Sequence, residues 1–252
     1  MKTEEFFNLL NVDKVWAMDS KNVNSGYPVL AYQTGVPPVP GGPVVDVKEE
    51  EGIVPVAQEI LSFSDVSATA WYYNAVAFVV GKGLFMGTSD DTFGPDITMT
   101  RAMLATVLYR MEGEAAISSA GNSNTFSDVA ADAWYATAVA WVTANNIMNG
   151  YGNDLFGPGD NITRQQMAVV LFRYAQFKGY DISARADLSA YTDTGQIAEW
   201  ALVSMQWANS AGFIAGITET TLNPEGNATR AQIATILMRF IKAFVETTRV
   251  TS

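Results

Sequence analysis

Residues 63 to 101 of this chain are written again at 126 to 164, and a third time at 191 to 230. Phe63, Asp65, Trp71, Gly83, Gly87, Phe93, Pro95, Thr100 and Arg101 are answered by Phe126, Asp128, Trp134, Asn146, Gly150, Phe156, Pro158, Thr163 and Arg164. The third copy reads Tyr191, Asp193, Trp200, Gly212, Gly216, Leu222, Pro224, Thr229 and Arg230. Each Arg follows its Trp by the same 30 residues, and the single insertion of the third copy falls between Asp193 and Trp200. A repeat this regular means one structural unit built three times, with neighbours burying what a single unit exposes.

Within each unit the hydrophobic pattern changes twice. An amphipathic segment comes first, with Trp71, Ala75, Val76, Phe78 and Val79, then Trp134, Ala138, Val139, Trp141 and Val142, and more loosely Trp200, Met205, Trp207 and Ala208. Spacings of three, four and seven mark one buried helical face. Gly83, Asn146 and Gly212 follow where a helix C-terminus favours a left-handed residue. A loop with Gly and Pro comes next, and a second helix opens at Thr100, Thr163 and Thr229, each a good N-cap. Gln166 and Gln232 complete capping boxes, whereas the first copy has Met103 there. Leu104, Val107 and Leu108, then Met167, Val170 and Leu171, then Ile233, Ile236 and Leu237 form the inward stripe of these second helices. Each unit is therefore helix, loop, helix, and the fold class is mostly α.

The boundaries follow from this pattern: repeats at 61–116, 124–180 and 189–246, preceded by a Pro/Gly-rich and acidic linker at 34–60. Val36 to Pro43 holds four of the nine prolines, a composition that makes an extended spacer, and Glu49 to Glu51 continues it as a solvated acidic run. Residues 1–33 carry short apolar pieces and an Asn24-Ser25-Gly26 turn signal; they read as the remnant of a preceding, possibly β-rich domain.

Composition excludes several function classes. The chain has no cysteine and no histidine. That removes Cys or His nucleophiles, a His general base and the usual thiolate or imidazole metal sites. Fifteen Lys and Arg against 26 Asp and Glu leave a net charge of −11, the wrong sign for a nucleic-acid phosphate backbone. No apolar run approaches the roughly 20 residues of a membrane span. Met1 to Glu5 is too acidic for a secretory signal, so export would need a leader that this sequence does not show.

Phe-x-Asp, Trp, two spaced glycines, Phe-x-Pro and Thr-Arg, repeated three times, resemble the S-layer homology (SLH) domain, whose usual arrangement is a tandem of three. The resemblance covers about residues 63 to 245. It implies a three-pronged, pseudo-threefold helical bundle, a monomer folded as a pseudo-trimer, with ligand grooves between adjacent repeats. It also implies non-covalent anchoring of an exported protein at the cell surface, in the wall or S-layer. The partner would be a secondary cell-wall polysaccharide of a Gram-positive-type wall, often carrying a pyruvate ketal, with no cofactor, no metal and no turnover. Carried over residue by residue, the implied ligand-binding set is Arg101, Arg164 and Arg230; Asp65, Asp128 and Asp193; Trp71, Trp134 and Trp200; Gly87, Gly150 and Gly216; and Tyr151. The Glu of the family's Thr-Arg-Ala-Glu motif is Met103, Gln166 and Gln232 here, which reads as a helix cap rather than ligand chemistry. The family's Gly-Tyr survives only as Gly150-Tyr151, against Gly87-Thr88 and Gly216-Ile217, so three equivalent sites are not expected, and the third copy should be the most structural.

The physical reading of these residues divides them. An Arg in a first helical turn opposes the macrodipole, and three in register point to a task. A guanidinium fork beside free helix N-terminal N–H groups suits a carboxylate, and the competing reading is a salt bridge to the repeat's own Asp. The Trp residues read as core with partial exposure, able to stack on a sugar at an edge. The Asp residues read as N-caps or loop anchors. Arg110, Arg173 and Arg239, late in the second helices, complement the dipole. A glycosidase needs paired carboxylates, and Asp90, Asp91, Asp96, Asp154, Asp160 and Glu225 do not recur in register. A calcium-dependent docking module needs a ligand spacing that Asn153 to Asp160 lacks. A helical protein–protein module with no glycan ligand is the alternative that remains, and it would tolerate loss of the three arginines.

Overall fold

The structure is a computed structural model that describes residues 16–17, 29–30, 61–113 and 126–246. The linker at 34–60 lies outside the described residues, as does most of the segment at 1–33; there, Trp16–Ala17 and Val29–Leu30 form a short antiparallel pair with Trp16 opposite Leu30. Among the described residues six α-helices follow, two to a repeat: α1 Tyr73–Gly81, α2 Arg101–Glu112, α3 Ala136–Ala144, α4 Arg164–Phe177, α5 Glu199–Ser210 and α6 Arg230–Phe240. A π-helical turn, Ile241–Glu246, extends the last. No helix among the described residues is long and apolar enough to cross a membrane.

The local signals act where the sequence places them. Thr163 and Thr229 accept from the N–H groups of Gln166 and Gln232, whose side chains reach back to the cap N–H, completing two capping boxes. Thr100 accepts from the Met103 N–H without the reciprocal bond. Gly83, Asn146 and Gly212 take φ of 68°, 55° and 70° just past α1, α3 and α5. There the chain turns back so that Leu84, Ile147 and Phe213 donate to the last helical turn.

The helices pack in a cycle rather than as three hairpins. The second helix of each repeat lies on the first helix of the next: α2 on α3, α4 on α5, and α6 back on α1. The apolar stripes read from the sequence meet in one core, with Val76, Leu104, Val139, Met167, Met205 and Ile233 excluded from solvent. Where the second helices begin, the backbone closes a ring of three hydrogen bonds. Met99 N–H donates to Ala228 C=O (3.0 Å), Ala228 N–H to Ile162 C=O (3.0 Å), and Ile162 N–H to Met99 C=O (2.9 Å). These are equivalent positions of the three repeats, so every repeat both gives and receives one bond. Repeats 1 and 2 are further tied by Glu112, which accepts from the Tyr174 hydroxyl at 2.5 Å and pairs with Lys178 at 3.1 Å. Burial, then the Glu112 carboxylate, raise the Tyr174 pKa, so this hydroxyl is a fixed donor.

Candidate functional site

Two loop devices recur in all three units. The carboxylate after Phe or Tyr reaches across to the loop before the second helix: Asp65 accepts from the N–H groups of Phe93 (2.8 Å) and Gly94 (2.7 Å), and Asp128 from Phe156 (2.8 Å) and Gly157 (2.7 Å). Asp193 does the same with Leu222 and Asn223. These are loop anchors. Tyr72, Tyr135 and Ala198 hold the N-cap positions of the first helices, with no side-chain cap bond. Burial alone would push the Asp128 carboxyl up, but the N–H groups of Phe156 and Gly157 and the charge of Arg101 outweigh it and hold the pKa below the ordinary value.

The second device explains the repeated glycine. A Cβ on Gly150 would stand 2.5 Å from the Leu155 carbonyl oxygen and 2.5 Å from the Phe126 ring. Gly87 meets Phe63 and Gly216 meets Tyr191 in the same way. The aromatic before the Asp packs directly against the loop, and only Gly leaves room for it. Gly87, Gly150 and Gly216 therefore shape the loop.

The arginines do something that no side-chain pattern disclosed. Arg101, at the start of α2 in repeat 1, donates from Nε to Phe156 C=O (2.9 Å) and from Nη2 to Asn149 C=O (2.7 Å), both in repeat 2. Arg164 grips Leu222 (2.8 Å) and Ala215 (2.6 Å) of repeat 3. Arg230 closes the cycle on Phe93 (2.9 Å) and Met86 (2.6 Å) of repeat 1. The guanidinium fork is spent on backbone carbonyls, and the three side chains are only 6%, 1% and 7% exposed.

The helix N-termini are likewise engaged. The N–H of Arg101 donates to Asp160 C=O and that of Ala102 to Pro158 C=O, and Arg164 with Gln165 and Arg230 with Ala231 repeat the pattern on the next repeat. With Thr Oγ taking the third N–H, the donors that the sequence offered to an anion are filled by the neighbouring loop. The competing salt bridge to the repeat's own Asp is not formed either: the carboxylates whose fields reach Arg101 and Arg230 are Asp160 and Asp128, and Asp65, each from the following repeat in the cycle. Burial draws both arginines below their ordinary pKa, and those carboxylates, joined at Arg101 by Tyr151, oppose it. Ring faces cover two of the three forks. Arg101 lies 4.4 Å from the Tyr151 centroid and 4.7 Å from that of Phe156, and Arg230 lies 4.5 Å from Phe93 and 5.3 Å from Phe85.

The tryptophans differ from the sequence expectation. Trp134 and Trp200 are 65% and 59% exposed, and Trp71 is half-buried. Helices α1 and α3 begin two residues after Trp71 and Trp134, so these two rings lie outside the buried stripe, each edge-on against the following Tyr72 or Tyr135. In repeat 3 the helix starts one residue before Trp200, on its outer face. The core tryptophans are instead Trp141 and Trp207. Of the candidate set, Trp134, Trp200 and Tyr151 face solvent, and the Arg and Asp residues are spent on holding loops. Among the described residues, no group of three or more carboxylates is placed to hold a metal.

Comparison with known proteins places this ring. The S-layer homology domain matches residues 62–103, 125–168 and 190–234. The chain belongs to the S-layer homology domain family. It is 32% identical over 196 residues to a surface-layer 125 kDa protein of Lysinibacillus sphaericus, covering 75% of this chain and 16% of that one. It is 28% identical over 180 residues to an amylopullulanase of Thermoanaerobacterium thermosulfurigenes, covering 70% and 9%, and 27% identical over 151 residues to a cellulosome-anchoring protein of Acetivibrio thermocellus, covering 60% and 33%. The chain thus spans a third or less of the length of these relatives.

Proposed function

We propose that this SLH chain anchors the protein that carries it, non-covalently, to a bacterial cell surface by binding a wall polysaccharide between its repeats. The observation that supports this most is the range of relatives: a surface-layer protein, an amylopullulanase and a cellulosome-anchoring protein each match this chain over a third or less of their own length. A region shared by proteins so differently named is a module of attachment rather than of catalysis. No turnover is assigned to it.

The ligand is a terminal, negatively charged sugar such as a pyruvate ketal. The exposed faces of Trp134, Trp200 and Tyr151 offer stacking surfaces, as amphipathic aromatics do at wet interfaces. Arg101 contributes positive charge beneath Tyr151, and the three arginines together with the Asp residues and loop glycines fix the loops. Engagement of several chains on one wall raises retention beyond the affinity of a single contact. The test is sedimentation of the chain with purified sacculi before and after chemical removal of the polysaccharide. Pelleting with the first and not the second is the expected result; equal pelleting with both, or with neither, contradicts the proposal.

A further inference from the structure

We propose that the three junctions are not copies of one site: the junction of repeats 2 and 3 is a sealed joint, and the polysaccharide is taken at the junction of repeats 1 and 2, where Tyr151 selects it. This rests on the anchoring function proposed above and says where in the ring it happens.

The sealing has two parts, both peculiar to repeat 3. Its one-residue insertion lies between Asp193 and Trp200, where Thr194–Gln196 winds into a 3-10 turn. Gln165, which follows the clamp arginine Arg164, accepts from the N–H of Ala198, the N-cap of α5 just past this turn, at 2.9 Å. The positions equivalent to Gln165 are Ala102 and Ala231, too short for the same contact. Gln165 is buried, and of the arginines only Arg164 has its Nη1 shut away from solvent without an acceptor among the described residues. A ligand approaching there meets a hydrogen-bonded latch, and Ile217 and Leu222 stand where repeat 2 has Tyr151 and Phe156.

The junction of repeats 1 and 2 is the converse. Tyr151 lies over Arg101 at 4.4 Å and is 55% exposed, so a cation-backed aromatic face looks outward. Such a face offers a sugar an apolar stacking surface, with a guanidinium behind it that favours an acidic substituent. At the junction of repeats 3 and 1 the same place is held by Thr88, whose hydroxyl is turned back onto Thr92, and no platform forms. Tyr151 and Thr88 are comparable positions in space, since each is a side chain that a Cβ on the equivalent glycine, Gly157 or Gly94, would meet.

The experiment is calorimetric titration of the intact chain with short fragments of the wall polysaccharide released from sacculi. One site per chain is expected. Tyr151→Ala should weaken binding at least tenfold and Tyr151→Phe should keep most of it, whereas Thr88→Ala, Ile217→Ala and Gln165→Ala should stay within twofold. Two or three equivalent sites on the unmutated chain would overturn the inference, as would Ile217→Ala weakening binding as much as Tyr151→Ala. Either result would leave anchoring intact if the chain still pellets with sacculi in a polysaccharide-dependent way; absence of binding to both fragments and sacculi would overturn anchoring and inference together. The stoichiometry is read on the unmutated chain, so it stands even if a variant fails to fold.

Discussion

The junctions of repeats 1 with 2 and 2 with 3 share a floor and differ in their lid. Arg101 and Arg164 make the same two bonds to the same two carbonyl positions, each beside a helix whose first N–H groups are held by the next loop. Above the first lies an exposed Tyr151; above the second lies a Gln165 side chain bonded to the α5 N-cap just past the inserted turn. The floor is repeated because it assembles the ring, since an amphipathic hairpin alone leaves its stripes uncovered. The lid is free to vary, and variation there is where recognition can differ between repeats.

The sharpest way to break this comparison is to cut the floor. Arg164→Ala orphans the Leu222 and Ala215 carbonyls in a buried joint, and it should cost about 3 kcal/mol or more, read as a fall in thermal midpoint. Arg164→Lys should recover little, because an ammonium lacks the planar fork that spans two carbonyls. Tyr151→Ala, at the lid of the other junction, should cost less than about 1 kcal/mol. If the two variants melted alike, floor and lid would not be distinct.

A smaller effect tests the loop shape. Gly150→Ala forces a Cβ against the Leu155 carbonyl and the Phe126 ring and should cost about 2 kcal/mol, while Gly159→Ala, with nothing within 4 Å of its Cβ, should be nearly neutral. Thermal melts of the pair decide whether close approach is the reason for the repeated glycine. Smaller again, Thr163→Ala removes a completed capping box and should cost about 1 kcal/mol, and Thr100→Ala, which lacks the reciprocal bond, should cost less.

The smallest effect sharpens the account of the Asp anchors. The Asp128 carboxyl has a folded pKa below its ordinary value, so its contribution is present in full above the unfolded value of about 3.9 and is lost as pH falls from there through the folded one. The melting midpoint should decline below about pH 4, and Asp128→Asn should flatten that part of the profile.

The repeat unit, its two helices, the Thr caps and the left-handed Gly83, Asn146 and Gly212 were legible in the sequence because each is decided within a few residues. The Asp loop anchors were half legible, since Asp before a helix is also a cap, and only the distance to Phe93 or Phe156 separates the two. The arginine clamps were not legible. Their partners are backbone carbonyls of another repeat, which any side chain can supply, and the remaining trace was a cation repeated where the helix dipole disfavours one. The exposure of Trp134 was missed because its helix begins two residues later than the hydrophobic pattern does. The Gln165 latch was invisible as well: a one-residue insertion shows that repeat 3 differs, but not what the extra length reaches.

The most direct measurement of the central claim, that the arginines build the ring while recognition sits at its rim, is a nuclear magnetic resonance titration. The chain, labelled at nitrogen, is titrated with wall polysaccharide fragments while the Trp indole and Arg Nε signals are followed. The account predicts that the Trp134 indole and the amides around Tyr151 move, while the Trp141 and Trp207 indoles and the Arg164 Nε signal stay in place. Movement of Arg164 Nε together with an unmoved Trp134 and Tyr151 would contradict it, because the buried clamp would then be the ligand contact itself.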